Sequence, residues 1–68
     1  MEVLKATSEQ KELLEGNYNN GHVLRFVKDA DDNWIVGVRV IEDPNFAPIK
    51  DQLEQLERIE YKPKKINI

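Results

Sequence analysis

The sequence has no cysteine and a single histidine, His22, among its 68 residues. Without thiolates the chain cannot form disulfides, cysteine-ligated zinc sites or iron–sulfur centres. One imidazole is also too few for the metal sites that proteins build from histidine. We therefore expect no metal and no cofactor.

Long apolar runs and an excess of positive charge are also missing. No stretch approaches the roughly 20 apolar residues that cross a bilayer, and the first ten residues lack the basic and apolar regions of a secretory signal. A cytoplasmic protein without a membrane partner is the expectation. The net charge of −3 suits a phosphate backbone poorly, so nucleic acid is not an expected partner either.

The chain length predicts one small domain. A chain this short buries only about 60% of the surface that its unfolded form exposes. Self-association is therefore a plausible source of additional stability. We predict a single domain over residues 1–62 and a flexible C-terminal tail over residues 63–68.

The clearest pattern lies in residues 22–41, which read as two strands joined by the polar turn 29–33. In the second strand, residues 34–41, every even position is apolar, and a period of two predicts one buried face. These even positions are Trp34, Val36, Val38 and Val40. Leu24 and Phe26 of the first strand would share that face.

A short helix precedes this hairpin. Thr7 and Gln10 fit a capping box that begins the helix at Ser8, and Gly16 is suited to end it. Residues 1–6 before the cap have a modest strand pattern. The hairpin is therefore preceded by a strand and a helix of about two turns.

A second helix follows the hairpin. Pro48 is placed at its first position, where a proline costs nothing. The apolar residues after it recur at helical spacing: Ile49, Leu53 and Leu56. Residues 58–62 alternate again and favour a last strand, although the alternative is a helix that continues through Glu60.

The resulting order is β-α-β-β-α-β, which is the ferredoxin-like order. It predicts an α+β fold, a small two-layer sandwich in which two short helices lie on one face of an antiparallel sheet. We expect the covered sheet face to pack against the leucines and isoleucine of the helices, namely Leu13, Leu14, Ile49, Leu53 and Leu56.

The other sheet face would remain open and carry apolar residues around two arginines. These predicted interface residues are Val23, Arg25, Val27, Ile35, Arg39 and Ile41. Exposed apolar patches of this kind mark contact sites, and a depletion of acidic residues suits an interface centre. The pattern predicts a non-catalytic binding module that contacts itself, as a homodimer, or another protein.

Two other functions fit the composition. Arg25 and Arg39 are suited to bind a small anionic ligand or effector. An acidic inhibitor of a nucleic-acid-binding protein would instead use the charged helix faces, with Glu9, Glu12, Glu15, Asp51, Glu54 and Glu57.

An enzyme is not expected. No linear motif supplies His22 with a catalytic partner. The acidic loop 29–33 lacks the glycine and glutamate of a calcium-binding EF-hand. It is predicted to be a hairpin turn that uses its Asp and Asn side chains for local hydrogen bonds.

Overall fold

A computed structural model describes residues 1–18 and 21–64. In chain order the strands and α-helices are β1 Glu2–Ala6, α1 Ser8–Leu14, β2 Gly16–Tyr18, β3 His22–Leu24, β4 Val27–Lys28, β5 Trp34–Gly37, α2 Lys50–Glu54 and β6 Glu57–Glu60. Two 3-10 helices, Val38–Ile41 and Pro44–Ile49, connect β5 to α2.

The strands form two sheets. One is a four-stranded antiparallel sheet in the order β4-β5-β1-β6, and the other pairs β2 with β3. The protein is thus a small α+β domain with a four-stranded antiparallel sheet and two short helices. The predicted ferredoxin-like order is not confirmed, because the β2–β3 pair lies between α1 and β4.

The predicted first hairpin strand is divided between the two sheets. Leu24 of β3 pairs with Gly16 of β2, whereas Val27 of β4 pairs with Ile35 of β5. The predicted inward direction of Leu24 and Phe26 is nevertheless correct, since both side chains are buried. A period of two reports which side chains are buried and not which strand is the partner.

The predicted second hairpin strand is too long. The observed strand, β5, ends at Gly37, and Val38–Ile41 forms a 3-10 helix. Residues three apart share one side of a 3-10 helix, so Val38 and Ile41 still pack against the core while half-buried. Val40 also packs against this cluster, so the three apolar residues of the segment contact the core although the segment is not a strand.

The start of α1 agrees with its sequence signals. The Thr7 hydroxyl accepts the Gln10 N–H at 3.1 Å, and the Gln10 side chain accepts the Thr7 N–H at 2.8 Å. After the helix, Gly16 has a φ of +146°, which glycine tolerates best. The prediction that Leu13 packs inward is wrong, because its side chain is 80% exposed.

The core lies between the sheet, the helices and the 3-10 segments. Its buried members are Leu4, Ala6, Leu14, Leu24, Phe26, Phe46, Ile49, Leu53 and Leu56. β1 occupies an internal position in the four-stranded sheet, and its residues Leu4 and Ala6 reach this cluster.

The last elements settle two further expectations. β6 pairs with β1, so a strand and not a longer helix follows α2. α2 begins at Lys50, after the 3-10 helix that contains Pro48. Of the predicted tail 63–68, residues 65–68 lie outside the described part of the chain.

Within the described residues, no helix has the length and apolar character to cross a membrane.

Candidate functional site

Three of the six predicted interface residues lie together on the surface. Val23, Arg25 and Val27 are all exposed, with Val27 at 60%. They alternate with the buried Leu24 and Phe26 along one extended segment. We call Val23, Arg25 and Val27 the edge stripe.

The other three predicted residues are not part of this exposed stripe. Ile35 lies opposite Val27 in the pairing of β5 with β4 and so projects from the same sheet face, but its side chain is only 2% exposed. Arg39 is exposed on the first 3-10 helix. Ile41, in the same helix, packs against the core. The six residues therefore do not form one open sheet face.

Among the strands that the structure describes, those that carry the edge stripe have a partner on one side only. β4 is an end strand of the four-stranded sheet, and β3 is paired with β2 in the two-stranded sheet. Edge strands offer backbone N–H and C=O groups to an additional strand. The stripe therefore combines exposed valines with a strand edge.

A hydrogen bond to Glu15, the residue that follows α1, holds this segment in place. The Glu15 carboxylate accepts the backbone N–H of Phe26 at 2.8 Å and the Lys11 ammonium at 2.9 Å. The bond from Lys11, followed by that from Phe26, lowers the pKa of Glu15 although burial opposes the shift. The sequence pattern assigns Glu15 to an acidic helix face. In the structure its carboxylate instead connects Lys11 of α1 to the backbone of Phe26.

Trp34 lies beside the same network. The ammonium groups of Lys11 and Lys28 are 4.4 Å and 4.5 Å from the centre of its indole ring. Both distances are within the range of cation–π attraction. Trp34 thus links α1, through Lys11, to the edge strand β4, through Lys28.

The acidic loop is a hydrogen-bonded turn, as predicted. One oxygen of Asp29 accepts the backbone N–H groups of Asp31 and Asn33 at 2.9 Å and 2.8 Å. The other accepts the Asn33 amide at 3.2 Å. Burial opposes ionisation of Asp29, but these bonds outweigh it and lower its pKa. Among the described residues, no group of three His, Cys, Asp or Glu side chains is arranged to hold a metal.

The two predicted ligand-binding arginines line different clefts. Arg25 borders a cleft of about 290 Å³ with Glu15, Gly16, Val23 and Leu24. Arg39 borders a smaller cleft of about 130 Å³, together with Val38, Ile41, Glu42 and Arg58. The arginine that accompanies Arg39 is thus Arg58, a residue that sequence periodicity assigns only to the last strand.

A third cleft separates the two α-helices. It is lined by leucines and glutamines without a charged side chain: Gln10, Leu13, Leu14, Gln52, Gln55 and Leu56. We call it the helix cleft. In a chain with 34% charged residues, an uncharged cleft beside the exposed Leu13 is a second candidate contact surface.

Comparisons with known proteins give no relative from which a function could be transferred. No family model, curated protein or solved structure matches this chain.

Proposed function

We propose that the protein is a non-catalytic binding module that acts through protein–protein contacts at the edge stripe, with a second copy of the chain as the partner. The observation that carries the proposal is the 60% exposure of Val27 on an end strand of the sheet. An exposed valine beside an unpaired strand edge is a surface that a partner strand can cover.

A symmetric contact fits this surface. In a two-fold dimer the same patch lies on both sides of the interface, so two β4 edges would meet antiparallel, with Val27 of each copy packed against the other. Burial of this apolar surface would add to the small core of a 68-residue chain. Arg25 lies within the stripe, so it would remain at the interface as a hydrogen-bond donor.

The molar mass in solution tests the proposal, measured by light scattering over a wide concentration range. We expect twice 8.0 kDa for the natural sequence and a shift towards the monomer for Val27→Asp, because a carboxylate would be buried in the contact. Leu13→Asp is the matched control, since it places the same charge on an exposed apolar residue outside the stripe.

The control also distinguishes the second candidate surface. A dimer that is lost in Leu13→Asp but kept in Val27→Asp would assign the contact to the helix cleft. A monomer at every concentration would rule out self-association at either surface. Circular dichroism of both variants would show whether the fold is retained.

A further inference from the structure

The cleft that contains Arg39 combines three kinds of side chain in a small space. Arg39 and Arg58 supply positive charge, Glu42 supplies negative charge, and Val38 and Ile41 supply an apolar surface. The cleft lies between the first 3-10 helix and β6. β6 is the end strand of the sheet opposite to β4. None of its residues belongs to the edge stripe.

The 3-10 helix explains how one segment provides two kinds of contact. Residues i and i+3 share a side of such a helix. Val38 and Ile41 form one such pair and are half-buried, whereas Arg39 and Glu42 form the next pair and are exposed. An apolar pair and a pair of opposite charges therefore lie side by side along the cleft.

The charged groups retain capacity to bind a ligand. Arg58 donates to Glu2 at 3.2 Å through one nitrogen, and its side chain is half-exposed. A guanidinium has five N–H donors, so this bond leaves others for a second acceptor. Neither Arg39 nor Glu42 forms an ion pair with any residue that the structure describes.

We propose that this cleft binds a small aliphatic α-amino acid as its zwitterion. The arginines, Arg39 above all, would hold the ligand carboxylate, because guanidinium and carboxylate form strong charge-assisted hydrogen bonds. The Glu42 carboxylate would accept hydrogen bonds from the ligand ammonium group. Val38 and Ile41 would contact the aliphatic side chain, and the cleft volume of about 130 Å³ limits the ligand to a small molecule.

Titration with L-leucine, followed by backbone amide NMR, tests the proposal. We expect shifts centred on residues 38–42 and on Arg58, with a dissociation constant of about 1 mM, since a ligand of this size gains only a few kcal/mol. Two analogues isolate the charges: 4-methylpentanoate lacks the ammonium group, and isopentylamine lacks the carboxylate. Each should bind about tenfold more weakly, because each loses one charged contact.

Variants identify the residues. Arg39→Gln should weaken leucine binding about tenfold by removing the charge that faces the carboxylate. Lys50→Gln removes an exposed positive charge outside the cleft and outside the edge stripe and should leave leucine binding unchanged. Absence of shifts at 20 mM L-leucine (about twentyfold above the expected constant), equal binding of 4-methylpentanoate, or unchanged binding by Arg39→Gln would each overturn the proposal. Light scattering of Val27→Asp tests the dimer separately.

Discussion

The Glu15 carboxylate accepts the backbone N–H of Phe26 at 2.8 Å across eleven positions of the chain. Glu15 follows the last turn of α1, and Phe26 lies where the chain passes from one sheet to the other. A single carboxylate therefore fixes the helix end against the segment that carries the edge stripe. Its second oxygen is held by Lys11.

Removal of this carboxylate should destabilise the fold. We expect Glu15→Ala to lower the free energy of unfolding by about 1–3 kcal/mol, because the Phe26 N–H loses its acceptor. Urea denaturation provides the measurement. Glu12→Ala, a change at an exposed position of α1, is the control and should stay within about 0.5 kcal/mol of the natural sequence. Equal effects of the two changes would show that the bond to Phe26 contributes no stability.

Stability should also depend on pH below neutrality. The pKa values of Glu15 and Asp29 are both lowered in the folded protein, so the unfolded state binds more protons in mild acid. The free energy of unfolding should stay constant while the pH is above the ordinary pKa values of about 4.3 for Glu and 3.9 for Asp. It should decrease as the pH falls through the lower pKa values of the folded protein.

Denaturation curves between neutral pH and pH 3 would measure this dependence. Glu15→Gln and Asp29→Asn cannot ionise at these positions, so each should show a smaller loss of stability on acidification than the natural sequence. A variant that loses as much stability as the natural sequence over this range would contradict the role assigned to its carboxylate.

The two ammonium groups at Trp34 should be visible in fluorescence. Because Lys11 and Lys28 lie 4.4 Å and 4.5 Å from the indole centre, iodide should be attracted to the ring and caesium repelled. We expect Lys28→Met to lower quenching by iodide and to raise quenching by caesium, while quenching by neutral acrylamide changes little. Unchanged quenching by both ions in this variant would contradict the placement of Lys28.

Truncation of two leucines in the helices should change the stability of the protein by very different amounts. Leu53 is fully buried in the core and Leu13 is 80% exposed. Leu53→Ala should cost about 2–5 kcal/mol, which matches the whole net stability of about 3–5 kcal/mol expected for so small a core. Thermal melting should show loss of the cooperative transition for Leu53→Ala and an almost unchanged midpoint for Leu13→Ala.

Local patterns predicted much of the secondary structure. The Thr7–Gln10 capping box is where its pattern indicates, and the last strand, predicted over residues 58–62, spans Glu57–Glu60. Both signals involve neighbouring residues. The β2–β3 pair was missed because Gly16–Tyr18 carries only three residues of a strand, too few for a period to be recognised. Leu13 was misassigned because adjacent leucines lie about 100° apart on a helix, so only Leu14 reaches the core.

The exposure of the predicted interface residues agrees with the structure for three of the six. The alternation of apolar residues correctly predicted the exposure of Val23, Arg25 and Val27, because the burial of Leu24 and Phe26 fixes the direction of their neighbours. Alternation did not predict the burial of Ile35, which projects from the same sheet face as Val27 but is only 2% exposed. The approach of Arg58 to Arg39 arises from the pairing of β6 with β1 and from the 3-10 turn after β5, which periodicity does not encode.

The pairing of β1 with β6 has a consequence during synthesis. β1 is made first, yet one of its edges is covered only when Glu57–Glu60 pairs with it. A growing chain that has not reached residue 57 therefore carries β1 with one open edge, which is prone to pair with other chains. Contacts between such distant segments also slow folding. Completion of the sheet therefore requires synthesis of Glu57–Glu60.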